Sequence, residues 1–159
     1  MLHAINGLNF ERPIRTFLPN MKTNISTFIF AAWLVATMAA LGALFMSEIM
    51  GFAPCVLCWW QRIFMFPLVL ILALALFPLD AKVLRYALPL AGIGLLVAGF
   101  HVLLTLGIIP EDLAPCRQGI PCKTIQVEWF GFVTIPVLSF LAFLTINGLL
   151  LAAYRSTSK

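Results

Sequence analysis

Four cysteines define the chemistry open to this chain. Cys55 and Cys58 stand two residues apart in Pro54-Cys-Val-Leu-Cys-Trp-Trp-Gln-Arg62. A Cys-x-x-Cys at the opening of a helix gains from the helix dipole, which stabilises a thiolate. Arg62 follows Cys58 by four residues and Cys55 by seven, so a helix sets the cation on nearly the same face. That combination suits a redox pair beside a membrane-soluble oxidant with a polar or anionic head. The plainer reading is a static staple, with Arg62 reaching toward lipid phosphates. It is the weaker one, because so short a ring removes little entropy from the unfolded chain.

Cys116 and Cys122 lie in Leu113-Ala-Pro-Cys-Arg-Gln-Gly-Ile-Pro-Cys-Lys-Thr124, an irregular stretch marked by Pro115, Gly119 and Pro121. Five intervening residues can close a small ring, either a structural clip or a second redox pair. Four cysteines allow three pairings, of which local pairing within each cluster is the simplest. Structural zinc sites space each ligand pair by two to four residues, so the second cluster fits poorly and no metal site is expected. His101 stands alone in a long apolar block. An ionisable group there is either functional or hydrogen-bonded to a neighbouring helix. Trp59 and Trp60 fit an aromatic belt at headgroup level.

The elements that must position these residues follow from composition. The 159 residues are 62% hydrophobic and 10% charged, with a net charge of +4 and a mean hydropathy of +1.04. Soluble domains carry about 25% charge. That deficit excludes a water-soluble globule, a disordered tail and a nucleic-acid binder with a solvated basic face. Four apolar blocks, at about 25–46, 54–79, 86–109 and 130–153, each approach or exceed the ~20 residues a membrane helix needs. They do not alternate, which excludes a membrane barrel. Short links force antiparallel neighbours, so the fold class is an all-α integral membrane protein, an antiparallel bundle of four transmembrane helices. Pro67, Pro89 and Pro136 are expected kinks. Ala39, Gly42, Ala43, Gly92 and Gly99 are either close-approach positions between helices or filler.

Orientation follows from the basic residues. Arg12, Arg15, Lys22, Lys82, Arg85, Arg155 and Lys159 fall on one side, and Arg62, Arg117 and Lys123 on the other. The richer side is cytoplasmic, so both termini face the cytoplasm and all four cysteines face outward, where disulfides persist. Residues 1–24 form a polar cytoplasmic tail and 154–159 a second one. No cleaved signal is expected, since the first block is long enough to remain a span. Met21-Lys-Thr would make an ordinary start, which reads residues 1–20 as an upstream extension.

The stretch from Pro54 through Arg62 to Pro67 resembles the first cysteine motif of the disulfide bond formation protein B (DsbB) family, most closely its BdbC/DsbI-like branch. Cys116–Cys122, followed by Glu128-Trp-Phe-Gly-Phe-Val-Thr-Ile-Pro-Val-Leu-Ser139, is similar to the second motif. The resemblance covers nearly all of the chain from Met21. It implies a thiol oxidase of the bacterial cytoplasmic (inner) membrane that recharges a DsbA-like thioredoxin-fold protein of the periplasm. Cys55–Cys58 and Cys116–Cys122 would be its redox disulfides. Electrons would run from the partner to Cys116/Cys122, then to Cys55/Cys58, then to ubiquinone or menaquinone. Cys58 would face the quinone with Arg62 beside it, and His101 matches a histidine common in this branch. Classical members have many more residues between the second cysteines, a departure by which the classical partner contact does not carry over and which leaves room for a specialised partner. Two other classes compete. A vitamin K epoxide reductase-like enzyme would carry its two pairs in the opposite order, and a stapled, non-enzymatic membrane subunit would use neither.

Overall fold

The computed structural model describes residues 11–77, 79–110, 128–129 and 133–157. Four helices carry the fold: α1 over Glu11–Leu44, α2 over Val56–Leu76, α3 over Leu84–Thr105 and α4 over Ile135–Thr157. Each contains a stretch long and apolar enough to cross a membrane. A π-helical turn, Phe45–Ile49, extends α1, and a 3-10 turn, Ala81–Val83, leads into α3. Ahead of α4, Glu128–Trp129 (β1) pairs antiparallel with Val133–Thr134 (β2), Glu128 opposite Thr134.

Buried positions fall in seams of three and four residues. They are Ile25, Ile29, Ala32, Ala36 and Ala40 on α1, and Leu57, Gln61, Met65, Leu68, Leu72 and Ala75 on α2. The seam of α3 runs through Ala87, Ala91, Gly94, Ala98, His101 and Leu104, and that of α4 through Phe143, Ile146, Leu150 and Ala153. Such spacing keeps one narrow face toward the neighbours over many turns, as in left-handed bundles. α1 packs on α2 and α4, and α3 on the same two, which closes a four-membered ring. The opposite faces are large and apolar: Leu74, Leu96 and Met38 are each at least 70% exposed. A soluble bundle would put charge there, so lipid is the matching solvent.

The structure moves several sequence boundaries. Helix α1 begins at Glu11, ahead of the membrane-spanning stretch that starts at Ile25. The last span starts at Ile135 rather than at residue 130, since Val133–Thr134 pair with Glu128–Trp129 as strands ahead of it. Pro136 then falls in the first turn of α4, where a missing N–H costs nothing, so of the three expected kinks Pro67 and Pro89 lie in helix interiors, as Pro19 does in α1. α3 stops at Thr105 because Gly107 takes a left-handed conformation (φ +75°), which lets Ile108 N–H return to the Leu103 carbonyl. Among the small residues, a side chain on Gly42 or Gly92 would meet nothing. The close approach is at Gly94, whose open face is filled by the Phe143 ring, with a looser contact between Gly99 and Phe140.

Candidate active site

The first cysteine pair sits where α2 begins. Cys55 is the N-cap residue, extended in backbone, and its sulfur accepts the Cys58 N–H at 3.4 Å. One helical turn brings the two sulfurs to 3.1 Å as a thiol–thiol hydrogen bond. Both cysteines are in the thiol form here, and only a modest closing movement separates them from a disulfide. Cys55 is buried beside Leu57 of α2 and Leu104 of α3.

The sulfurs look in different directions. Cys55 Sγ lies 3.8 Å from Nε2 of His101, which is 1% exposed on the inner seam of α3. His101 Nδ1 is 3.1 Å from the side-chain amide of Gln61 on α2. Buried polar groups need partners, and here each supplies the other. The Gln61–His101–Cys55 chain therefore joins α2 to α3 through polar contacts inside an apolar bundle. Sequence reasoning singled out His101 but passed over Gln61. The available signal was its place on the 57–61–65–68 seam, where an amide interrupts otherwise apolar positions.

Cys58 faces the other way, into an apolar cavity of about 560 Å³ between α1, α2 and α4. Leu34, Met38 and Leu138 contribute to its walls, and Arg62, Gln61 and Ser139 are its polar groups. Ala39, Gly42 and Ala43 line it too, so this small-residue stripe makes room for the cavity rather than for a neighbouring backbone. Arg62 is fixed at two points. Its Nη2 donates to the Ala43 carbonyl of α1 at 2.7 Å, and its guanidinium lies 5.5 Å over the Trp59 ring. Trp59 and Trp60 are half exposed and line no part of the cavity, as a belt requires. Of the sequence candidates, Cys55, Cys58, Arg62 and His101 thus converge on one end of the bundle. Cys116 and Cys122 lie outside the described residues.

Residues 25–153 match the family model described as disulfide bond formation protein DsbB. The chain is 47% identical over 126 residues to "Disulfide bond formation protein C" of Bacillus subtilis (strain 168), covering 79% of this chain and 91% of that protein. It is 49% identical over 127 residues to a "Probable disulfide formation protein" of Metapseudomonas resinovorans, covering 79% and 88%. No solved structure matches. With a family match spanning all four membrane helices, and relatives this similar over most of their length, the chain belongs to the DsbB family of disulfide bond formation proteins, as a multi-pass membrane disulfide oxidoreductase.

Proposed function

We propose that this oxidoreductase is thiol:quinone coupled. It reoxidises a DsbA-like thioredoxin-fold protein of the periplasm and passes the electrons through Cys116/Cys122 and Cys55/Cys58 to ubiquinone or menaquinone in the inner membrane. The observation that carries this reading is the cavity reached by Cys58 but walled by spanning helices. A quinone head needs hydrogen-bond donors for its carbonyls, and its tail needs apolar walls. Arg62 and Ser139 offer the first, and Leu34, Met38 and Leu138 the second. The volume falls within the usual range for small-molecule pockets, about 300–1,000 Å³.

A quinone bound there would supply the sink for two electrons and two protons. The remaining tasks belong to the chain. Thiol–disulfide exchange requires thiolate attack along an accessible sulfur. Cys55 is backed by the Cys58 N–H and His101, which support it as a thiolate. His101 Nε2 can hold the proton that Cys55 gains or loses. Arg62, clamped by Ala43 and Trp59, keeps a positive charge on the cavity wall, where developing negative charge is stabilised in low dielectric.

Purified protein, given a reduced thioredoxin-fold substrate, should consume quinone, as read from quinone absorbance. Arg62→Met should keep the helical content and slow that consumption at least tenfold. No consumption by the unaltered protein with either quinone would remove the coupling, while wild-type rates in Arg62→Met would assign the arginine to anchoring alone.

A further inference from the structure

The sulfurs of Cys55 and Cys58 and a ring nitrogen of His101 all lie within 4.8 Å of one another. We propose that the reduced Cys55–Cys58 pair and His101 form a three-ligand site for a thiophilic divalent cation such as Zn²⁺, its fourth position open to the cavity, and that the bound ion holds the enzyme reduced. This goes beyond the quinone reading and does not rest on it.

Four observations carry the inference. Zinc takes thiolate at ~2.3 Å and imidazole at ~2.0–2.1 Å, so tetrahedral neighbours stand roughly 3.5–4 Å apart. The Cys55–His101 separation of 3.8 Å already satisfies this, and the sulfurs, at 3.1 Å, need only spread slightly. Second, the donors come from two elements that are already packed, the opening of α2 and the inner seam of α3, so binding orders little new chain. Third, His101 has the outer partner that metal-binding histidines use. Gln61 sits 3.1 Å from Nδ1, and its amide, turned to accept Nδ1–H, presents the Nε2 lone pair to the sulfurs. Fourth, Cys58 borders the cavity while Cys55 and His101 are buried, which leaves one open side for a water or a second donor.

The balance is simple. Two thiols release two protons, and the two thiolates neutralise the divalent charge, so the site gains no net charge beside Arg62. No electron moves. The disulfide form offers neither thiolate and should not bind, which makes the site a reporter of redox state. An ion held there withdraws both sulfurs from disulfide formation.

The test uses full-length protein in detergent, with Cys116→Ser and Cys122→Ser removing the other two thiols. Anaerobic titration with Cd²⁺, followed by its thiolate charge-transfer absorbance, should give one ion per reduced chain and none per oxidised chain, with Zn²⁺ displacing it. His101→Ala should weaken binding at least tenfold, and Cys58→Ser should abolish it, both at unchanged helical content. Should His101→Ala lose helical content, His101→Gln takes its place. As a second readout, one equivalent of Zn²⁺ should slow diamide-driven closure of the Cys55–Cys58 disulfide at least tenfold, with recovery on adding EDTA. Equal binding by oxidised and reduced protein, no stoichiometric binding by reduced protein, or unchanged affinity in a folded His101 variant would each overturn the site. None of these readouts involves quinone, so they leave the oxidase assay to stand or fall separately.

Discussion

At the scale of single residues, the two cysteines of the first pair divide their duties by direction. Cys58 borders the cavity and Cys55 turns inward to His101. Gln61 is the residue that makes the second half of this division hold, because it alone of the α2 seam meets His101 with a polar group. Gln61→Leu would leave Nδ1 of a buried imidazole without that partner, which costs about 1–3 kcal/mol. It would also release the ring from the orientation that aims Nε2 at Cys55. The expected result is a modest fall in thermal stability. With it should come slower single-turnover reduction of the Cys55–Cys58 disulfide and a changed pH profile. Gln61→Glu retains an acceptor for Nδ1–H and should recover most of the rate. A rate that follows stability alone, with the same pH profile in both variants, would reduce Gln61 to a packing residue.

At the scale of helices, packing in this bundle depends on small residues at particular seam positions. Gly94 of α3 faces the Phe143 ring of α4, and Asn147 braces the same pair by donating to the carbonyls of Ala91 at 3.0 Å and Phe143 at 2.8 Å. A methyl group at Gly94 would enter the ring, so Gly94→Ala should destabilise by about 1–3 kcal/mol through overpacking. Gly92, two residues earlier, faces open space, and Gly92→Ala should be neutral or stabilising by up to ~1 kcal/mol from helix propensity. Thermal unfolding in detergent would reveal the opposite signs, and equal shifts would show that the α3–α4 contact is looser than drawn. The sequence could not have chosen between these glycines. In lipid both faces of a helix are apolar, so periodicity says little about which face is inward. The existence and number of spans were legible, because length and lack of charge suffice for that. The cysteine end of α2 was legible as well, because Cys58 and Arg62, four residues apart, share the face that borders the cavity, whereas the turn of Cys55 toward His101 was not. Gln61 was not, since its meaning depends on a partner 40 residues away on α3. The start of α4 was obscured for a related reason: apolar composition alone does not separate a helix from the β1–β2 pair.

At the scale of the whole molecule, the antiparallel ring sets the Cys55–Cys58 end of α2 beside the end of α1 and opposite Lys82 of the 3-10 turn and Arg85 at the start of α3. By the positive-inside rule the ring is expected to orient with seven basic residues inside and three outside. After mild reduction, a membrane-impermeant thiol reagent applied to intact cells should modify Cys116 and Cys122, and labelling confined to lysed cells would invert the protein. In the proposed orientation the second pair would meet the soluble partner. Arg117 follows Cys116 and Lys123 follows Cys122, so both sulfurs have a neighbouring cation and charge does not choose between them. The resemblance implies that role for the first cysteine of the pair, and we propose Cys116 on that ground. Cys122→Ala would then leave Cys116 as a free thiol, whose thiolate can attack the disulfide of the oxidised substrate, forming a Cys116–substrate disulfide and releasing the substrate's other sulfur as a thiolate. A mixed disulfide through Cys116 should accumulate wherever the substrate's second thiol resolves it slowly. Non-reducing electrophoresis with mass mapping of the linkage would read this directly. An adduct recovered only through Cys122, in Cys116→Ala, would reverse the assignment. Full substrate oxidation in both variants would leave the relay to Cys55 and Cys58 alone, and the five-residue ring would then be a clip.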